Sequence, residues 1–310
     1  KPKEAMATLT DYFCENYRPR IFKSSKYIET NYEDDKNNII AKYNQNGYRD
    51  AHIISDSIYK IDDKNMGIAI TLDEGDKYYF RDISWVGNTK YDTATLNKVL
   101  GINKGDVYNK ELLQTNLQYN EGGYDISSIY MDDGYLFFTV DPVEVRVEND
   151  SIDLEIRIYE GDQATIGKVS VKGNTKTNDH VVVREMYTKP GQLFSRSDVI
   201  RTTRELAALG YFNAETLNPE IKPDPTDGTV DIEYVVEETS SDQIELSAGW
   251  GYNKLILTLG LTLNNFSVKN MFKKGAWTPL PGGDGQKLSL RVQTYGRQYI
   301  YYGVSFTEPW

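Results

Sequence analysis

The side chains that most often carry chemistry are few in this sequence and are badly spaced for it. His52 and His180 are its only histidines, and neither lies in an H-x-x-x-H spacing that would build a metal site. Both read as ordinary imidazoles. Cys14, the single cysteine, has no histidine near it in sequence and reads as a small apolar side chain. Asp132-Asp133 and Glu237-Glu238 are adjacent pairs, so on a helix or strand their carboxylates point in different directions. Pro281–Gln286 (PGGDGQ) invites comparison with phosphate and calcium loops. It lacks the Gly-Lys-Ser/Thr ending of the first and the alternating carboxylates of the second. It reads as a tight turn leading into the next strand. No nucleophile–base pair, metal set or cofactor site emerges, and an enzyme reading has no constellation to rest on.

What the pattern offers instead is backbone. Three times a helix runs into Gly-Tyr, at Gly47-Tyr48, Gly134-Tyr135 and Gly210-Tyr211, with Tyr43, Tyr130 or Leu206 four residues before the glycine. That spacing predicts a glycine C-cap over an apolar last turn. In the third copy Ser195 is placed to cap the helix, with Val199, Thr203 and Leu206 on one face. Two strands end in Gly-Asn-Thr, at Gly87-Asn88-Thr89 and Gly173-Asn174-Thr175. Gly-Asn supplies a turn with positive φ, and Asp92 and Asn178 are placed as helix N-caps. A strand, an acidic turn and a second strand complete each copy. The turns fall at Asp62–Asn65, Glu148–Asp150 and Asp224–Gly228, and the returning strands carry Ile68, Ile70 and Leu72; Ile152, Leu154 and Ile156; Val230, Ile232 and Tyr234. Two of them close on Glu74-Gly75 and Glu160-Gly161, the third on Glu237-Glu238.

The unit is therefore strand, helix, helix, strand, strand, an α+β repeat with boundaries expected at 1–79, 80–163 and 164–239. The first copy is expected to lack its opening strand, and the second to carry a loop near Tyr119–Tyr124. Linkers are almost absent, which predicts a semi-rigid arm. A small sheet with helices on one face has two edges that can accept an added strand. The strand after each Gly-Tyr is the candidate: Ala51, His52, Ile53 and Ile54; Leu136, Phe137, Phe138, Thr139 and Val140; Phe212, Asn213, Ala214 and Glu215.

Residues 240–310 have a different rhythm. Four runs alternate at period two: Gln243–Trp250, Leu255–Leu263, Lys287–Gln293 and Tyr299–Thr307. One face gathers Ile244, Leu246, Ala248 and Trp250, then Leu255, Leu257, Leu259, Leu261 and Leu263, with Leu290, Val292, Val304 and Phe306 following. A soluble β-sandwich alternates too, but a row of five leucines facing water would make a poor soluble surface. The sharper expectation is the first four antiparallel strands of a transmembrane β-barrel. Its aromatic rims would hold Trp250, Tyr252, Tyr295 and Tyr299 at one end and Phe266, Phe306 and Trp310 at the other.

The net charge of −11 and the lack of any Lys/Arg cluster argue against nucleic acid as a partner. The 24 tyrosines against 10 phenylalanines suit half-wet β surfaces. No apolar run reaches 18 residues, and any export signal is expected to precede Lys1.

The ordered Gly-Asn-Thr, Gly-Tyr and Glu-Gly marks resemble POTRA (polypeptide-transport-associated) repeats. With a barrel opening that ends in Ser305-Phe306-Thr307-Glu308-Pro309-Trp310, the whole chain resembles the BamA family of outer-membrane assembly factors. Glu237–Trp250 and Pro279–Leu288 look most like the Bacteroidetes members. The resemblance implies a periplasmic arm that holds nascent outer-membrane proteins and accessory assembly lipoproteins by β-augmentation. It also implies a barrel in outer-membrane lipid that inserts clients without ATP or a cofactor. Gln243, Ile244, Glu245, Leu246, Ser247, Ala248, Gly249 and Trp250 would form one side of its lateral seam. A family barrel closes with many more strands than four, so the sequence is expected to be a portion of a longer chain. The alternatives are a two-partner-secretion transporter and a soluble periplasmic scaffold.

Overall fold

The computed structural model describes residues 27–309 apart from 63, 64, 121, 225, 252, 253, 274, 276, 278, 279, 297 and 298. Cys14, Tyr252 and Trp310 lie outside the described residues, as do parts of two expected turns. By internal contacts the chain divides into Lys1–Ile129 with Phe138–Glu160, and Tyr130–Phe137 with Gly161–Trp310.

In the first unit, helix α1 (Glu29–Gln45) leads through Gly47 into an antiparallel hairpin, β1 (His52–Lys60) and β2 (Met66–Asp73). The second repeat follows with β3 (Tyr79–Val86), α2 (Thr93–Leu100), α3 (Lys110–Gln118), α4 (Ile126–Asp132), β4 (Thr139–Glu148) and β5 (Ser151–Tyr159). Its sheet order is β3-β5-β4, with β3 parallel and β4 antiparallel to the central β5. Alternation explains the centre: Ile152, Leu154 and Ile156 are buried, as are Leu96, Leu100, Leu113 and Leu117 on the helices. Each such side chain contributes about 1.5–3 kcal/mol on burial.

The inserted stretch near Tyr119 is not merely a loop on the surface. It interrupts the second helix, so this repeat has three helices where two were expected. Asp125 makes the interruption stable although it is fully buried. Its carboxylate accepts from Ser128 N–H at 2.8 Å, Ser128 Oγ at 2.8 Å and Asn120 N–H at 3.0 Å, capping α4.

In the second unit, β6 (Thr165–Lys172), α5 (Asp179–Val183), α6 (Arg196–Ala208), β7 (Asn218–Asp224) and β8 (Thr229–Val235) repeat the plan with order β6-β8-β7. Ser195 Oγ accepts from Asp198 N–H at 3.2 Å, the cap expected from sequence. The last sheet is an antiparallel meander of β9 (Gln243–Gly251), β10 (Lys254–Phe266), β11 (Gln286–Tyr295) and β12 (Tyr299–Thr307). A short helix, α7 (Val268–Met271), lies between β10 and β11. The four strands form an open sheet.

Candidate functional site

The Gly-Asn-Thr and Glu marks prove to be two halves of one device. Gly87 and Gly173 have φ of 89° and 103°, and a Cβ on either would overlap the backbone carbonyl of Ile158 or Val236. The strand end can therefore pass under the returning strand only as glycine. At that crossing Glu160 accepts from the N–H of Thr89 at 2.8 Å and of Lys90 at 2.9 Å. Glu238 does the same for Lys176 at 2.8 Å and Thr177 at 2.6 Å, and for Thr175 Oγ1 at 2.8 Å. Burial opposes ionisation of Glu238, yet the bonds from Thr177, Thr175 and Lys176 hold its carboxyl below the usual glutamate range. The side chains of Asn88 and Asn174 donate to Tyr91 O and Thr177 O, tightening the same turns.

Gly47, Gly134 and Gly210 all have positive φ. After the first two, the tyrosine N–H returns five residues to Tyr43 O or Tyr130 O, a Schellman closure. The glycine carbonyls then serve as hooks. Gly47 O accepts from Tyr78 N–H at 2.9 Å, and Gly134 O accepts from Ala164 N–H at 2.8 Å. Within the first unit the hook is reinforced by an Arg49–Glu144 ion pair at 2.6 Å and a Tyr108 OH bond to Glu144 at 2.6 Å.

The strands that follow Gly-Tyr do lie at sheet edges, but the edges begin later than expected. His52, Ile53 and Ile54 belong to β1, with Ile54 in a bulge, whereas Ala51 precedes the strand and is buried. In the second copy only Thr139 and Val140 belong to β4. Phe138 precedes that strand and is buried. Leu136 and Phe137 lie in a turn, and Leu136 packs against the core of the third repeat. Phe212, Asn213, Ala214 and Glu215 are not an edge strand. Phe212 is buried at 3 % exposure and bridges Glu238, while the Asn213 side chain accepts from Glu215 N–H and turns the chain. The edge strand of this copy is β7, starting at Asn218.

The three edges differ in what they can donate. A strand proline is tolerated where its missing N–H would have pointed away from the paired neighbour. Pro219 and Pro223 therefore mark Pro219, Ile221 and Pro223 as the outward positions of β7, and only Ile221 retains a donor. In β4, Pro142 removes one outward donor between Val140 and Glu144. Strand β1 has no proline. The Ile61 N–H bond to Asn65 O at 3.0 Å sets its parity, leaving Asp56, Ile58 and Lys60 facing outward. Beside β4 lies a cleft of about 310 Å³ lined by Tyr108, Lys110, Leu113, Gln114, Pro142, Val143, Glu144 and Leu154.

The last sheet has two unlike faces, fixed by register. Leu255, Leu257, Leu259 and Leu261 pair with Trp250, Ala248, Leu246 and Ile244, and Leu288, Leu290 and Val292 pair with Phe306, Val304 and Tyr302. Leu246 is 81 % exposed and Val304 75 %, so the oily face is bare. The opposite face carries Glu245, Ser247, Gly249, Thr258, Thr262, Ser289, Arg291 and Gln293. There Arg291 binds Glu245 at 2.6 Å across Gly260 of the intervening strand, where a larger side chain would press on Glu245. Trp250, Tyr295 and Tyr299 share one end of the sheet, with the Tyr295 and Tyr299 rings 6.0 Å apart. Phe306 lies at the other end, but Phe266 is buried beneath the register shift at the end of β10 and is no rim residue. The exposed aromatics nearby are Phe272 and Trp277, which the alternation rule could not find because they lie outside the strands.

PGGDGQ has a larger task than a turn. Gly283 has φ of 121°, and its carbonyl accepts from Asn178 N–H of the third repeat at 2.9 Å. The buried Asp284 accepts from Asn178 Nδ2 at 2.8 Å and Ser267 Oγ at 2.5 Å. Tyr211 OH donates to Gly285 O at 3.1 Å, and Asn265 Nδ2 to Thr177 Oγ1 at 2.8 Å. The last repeat is tied to the sheet by this polar knot.

Among the described residues no cluster of three or more His, Cys, Asp or Glu is placed to hold a metal, and no helix is long and apolar enough to cross a membrane. What the described geometry presents is open sheet edges, the cleft beside β4 and a bare apolar sheet face.

Known proteins match this architecture. A putative outer membrane protein assembly factor of Treponema pallidum is 26 % identical over 281 residues, 87 % of this chain and 33 % of the relative. The outer membrane protein assembly factor BamA of Neisseria meningitidis serogroup B is 26 % identical over 299 residues, 93 % of this chain and 34 % of the relative. The chain thus spans about a third of the length of these relatives. The crystal structure of BamA from Haemophilus ducreyi lacking POTRA domains 1-3 shares the fold, with a TM-score of 0.60 at 24 % identity over 75 % of this chain and 40 % of that one. The POTRA family model, described as surface antigen variable number repeat, matches residues 78–161 and 164–239. Those two matches take in more than half of the sequence, and the chain belongs to the POTRA family.

Proposed function

We propose that this chain helps to assemble β-barrel proteins in an outer membrane, as a binding and insertion factor rather than an enzyme. Residues 1–79, 80–163 and 164–239 act as periplasmic repeats, and 240–310 provide the first strands of a transmembrane barrel. The observation that carries this reading is the bare apolar face of the β9–β12 sheet, tied directly to a tandem repeat. A nine-residue strand at about 3.4 Å per residue, tilted about 40°, rises about 23 Å, close to the apolar band of an outer-membrane barrel. The relatives named as assembly factors supply the class of task.

In this reading nascent outer-membrane proteins and accessory lipoproteins add strands to the open edges, β1 first and β4 second. The cleft beside β4 receives alternate side chains of the added strand. Strand β9 is one side of the seam, and no nucleotide is consumed. The affinity to the Bacteroidetes members rests on Glu237–Trp250 and Pro279–Leu288 alone. Depleting the protein should lower many outer-membrane β-barrel proteins together while periplasmic proteins hold their levels. Loss of a single secreted passenger would identify a dedicated transporter instead. Unchanged outer-membrane proteins would overturn the proposal.

A further inference from the structure

The segment after β10 has a surface that the repeats and strands do not explain. Phe272 is 79 % exposed and Trp277 55 %, with Val268 and Met271 partly bare beside them. The described residues around these side chains are hydrogen-bonded. Ser267 Oγ caps α7 by accepting from Asn270 N–H at 3.1 Å, Asn270 Nδ2 donates to Gly282 O at 2.8 Å, and Trp277 Nε1 donates to Met271 O at 3.2 Å. Hydrogen bonding thus holds large apolar groups out in the open, which isolated soluble surfaces avoid.

Position and charge say what covers them. The segment leaves the sheet where Leu263 pairs with Leu288 and Leu288 with Phe306, so it borders the oily face at its end. In a chain of net charge −11, the stretch VKNMFKKGAW from 268 to 277 has three lysines and no acid. Aromatic and apolar side chains interleaved with lysines, next to an apolar belt, match the boundary between acyl chains and anionic headgroups.

We infer that Val268, Met271, Phe272 and Trp277, flanked by Lys269 and Lys273, form an interfacial anchor that seats the end of the sheet in the headgroup layer of an anionic phospholipid leaflet. The inference rests on the membrane reading of the β9–β12 sheet, and it adds a contact that lies outside the strands. The anchor fixes the depth of the sheet end to which the polar knot ties the third repeat.

The test uses the full-length protein in a cysteine-free background that includes Cys14→Ser, with nitroxide labels at Phe272→Cys and, separately, Leu259→Cys. It is reconstituted in phosphatidylcholine vesicles with or without phosphatidylglycerol, and label accessibility to oxygen and to a water-soluble nickel chelate is measured. At 272 the label should report a depth between bulk water and that of the Leu259→Cys label, deeper with phosphatidylglycerol. Lys269→Gln, Lys273→Gln and Lys274→Gln together should abolish that added depth without moving the Leu259→Cys label. An aqueous signal at 272 with a lipid signal at 259 overturns the anchor alone. Shielding of 272 from both reagents overturns it in favour of a protein partner or second copy. A response to phosphatidylglycerol that survives loss of the lysines overturns the anionic-headgroup assignment. Aqueous signals at both sites overturn the membrane reading itself.

Discussion

Glu160 and Glu238 each satisfy backbone N–H groups some seventy or sixty residues upstream, so a carboxylate stitches the last strand of a repeat to its first turn. Glu238→Ala should destabilise the third repeat by about 1–3 kcal/mol, because it leaves partly buried donors unpaired. Chemical denaturation followed by Trp and Tyr fluorescence would read the loss. The carboxyl is held below the ordinary glutamate range in the fold, so its contribution is complete above a pH of about 4.3 and is lost as pH falls through the lowered folded value. Wild type should therefore lose melting temperature below that pH faster than Glu238→Gln does. Gly173→Ala meets both positive φ and the carbonyl of Val236, and should cost about 1–3 kcal/mol or more. Spacing alone marks Gly-Asn-Thr as a turn and Glu-Gly as a strand end. That the two marks meet is a fact of the sheet order, in which the first and last strands of a repeat become parallel neighbours.

Among the elements, the strands of the last sheet are the most legible in sequence, because an alternation of five leucines in β10 admits one pairing face. The repeat edges are less legible. Apolar residues after Gly-Tyr look like the start of a strand, yet Leu136 and Phe212 turn inward to fill the core and the edge strand begins only after a further turn. The prolines, once placed by register, separate the edges. Ile58→Pro in β1 removes an outward donor without breaking its ladder with β2, and should reduce photo-crosslinking of extended client peptides to the first repeat. Ile221→Pro in β7 should change crosslinking little, since Pro219 and Pro223 have already removed its neighbours. Equal effects from the two substitutions would sink the ranking of the edges.

At the scale of the molecule, the join between the third repeat and the sheet rests on hydrogen bonds between residues far apart in sequence. PGGDGQ is readable as a tight turn, but its partner Asn178 lies about a hundred residues upstream, and local chemistry cannot announce such a meeting. Asp284→Ala should loosen the join, exposing the Asn178 amide to faster hydrogen exchange while the central strands β8 and β10 keep their protection. If Asn178 exchange is unchanged, the knot is not what holds the join. Phe272 and Trp277 escaped period-two reasoning for a related reason: an anchor between strands has no period. The two prolines of β7 also bear on crowding. On the proposed function, a chain that binds unfolded strands must also keep its own copies from pairing edge to edge, as unprotected sheets do. With two of its three outward donors absent, β7 is a poor template for a second copy of itself, so on the same proposal self-pairing through that edge is disfavoured.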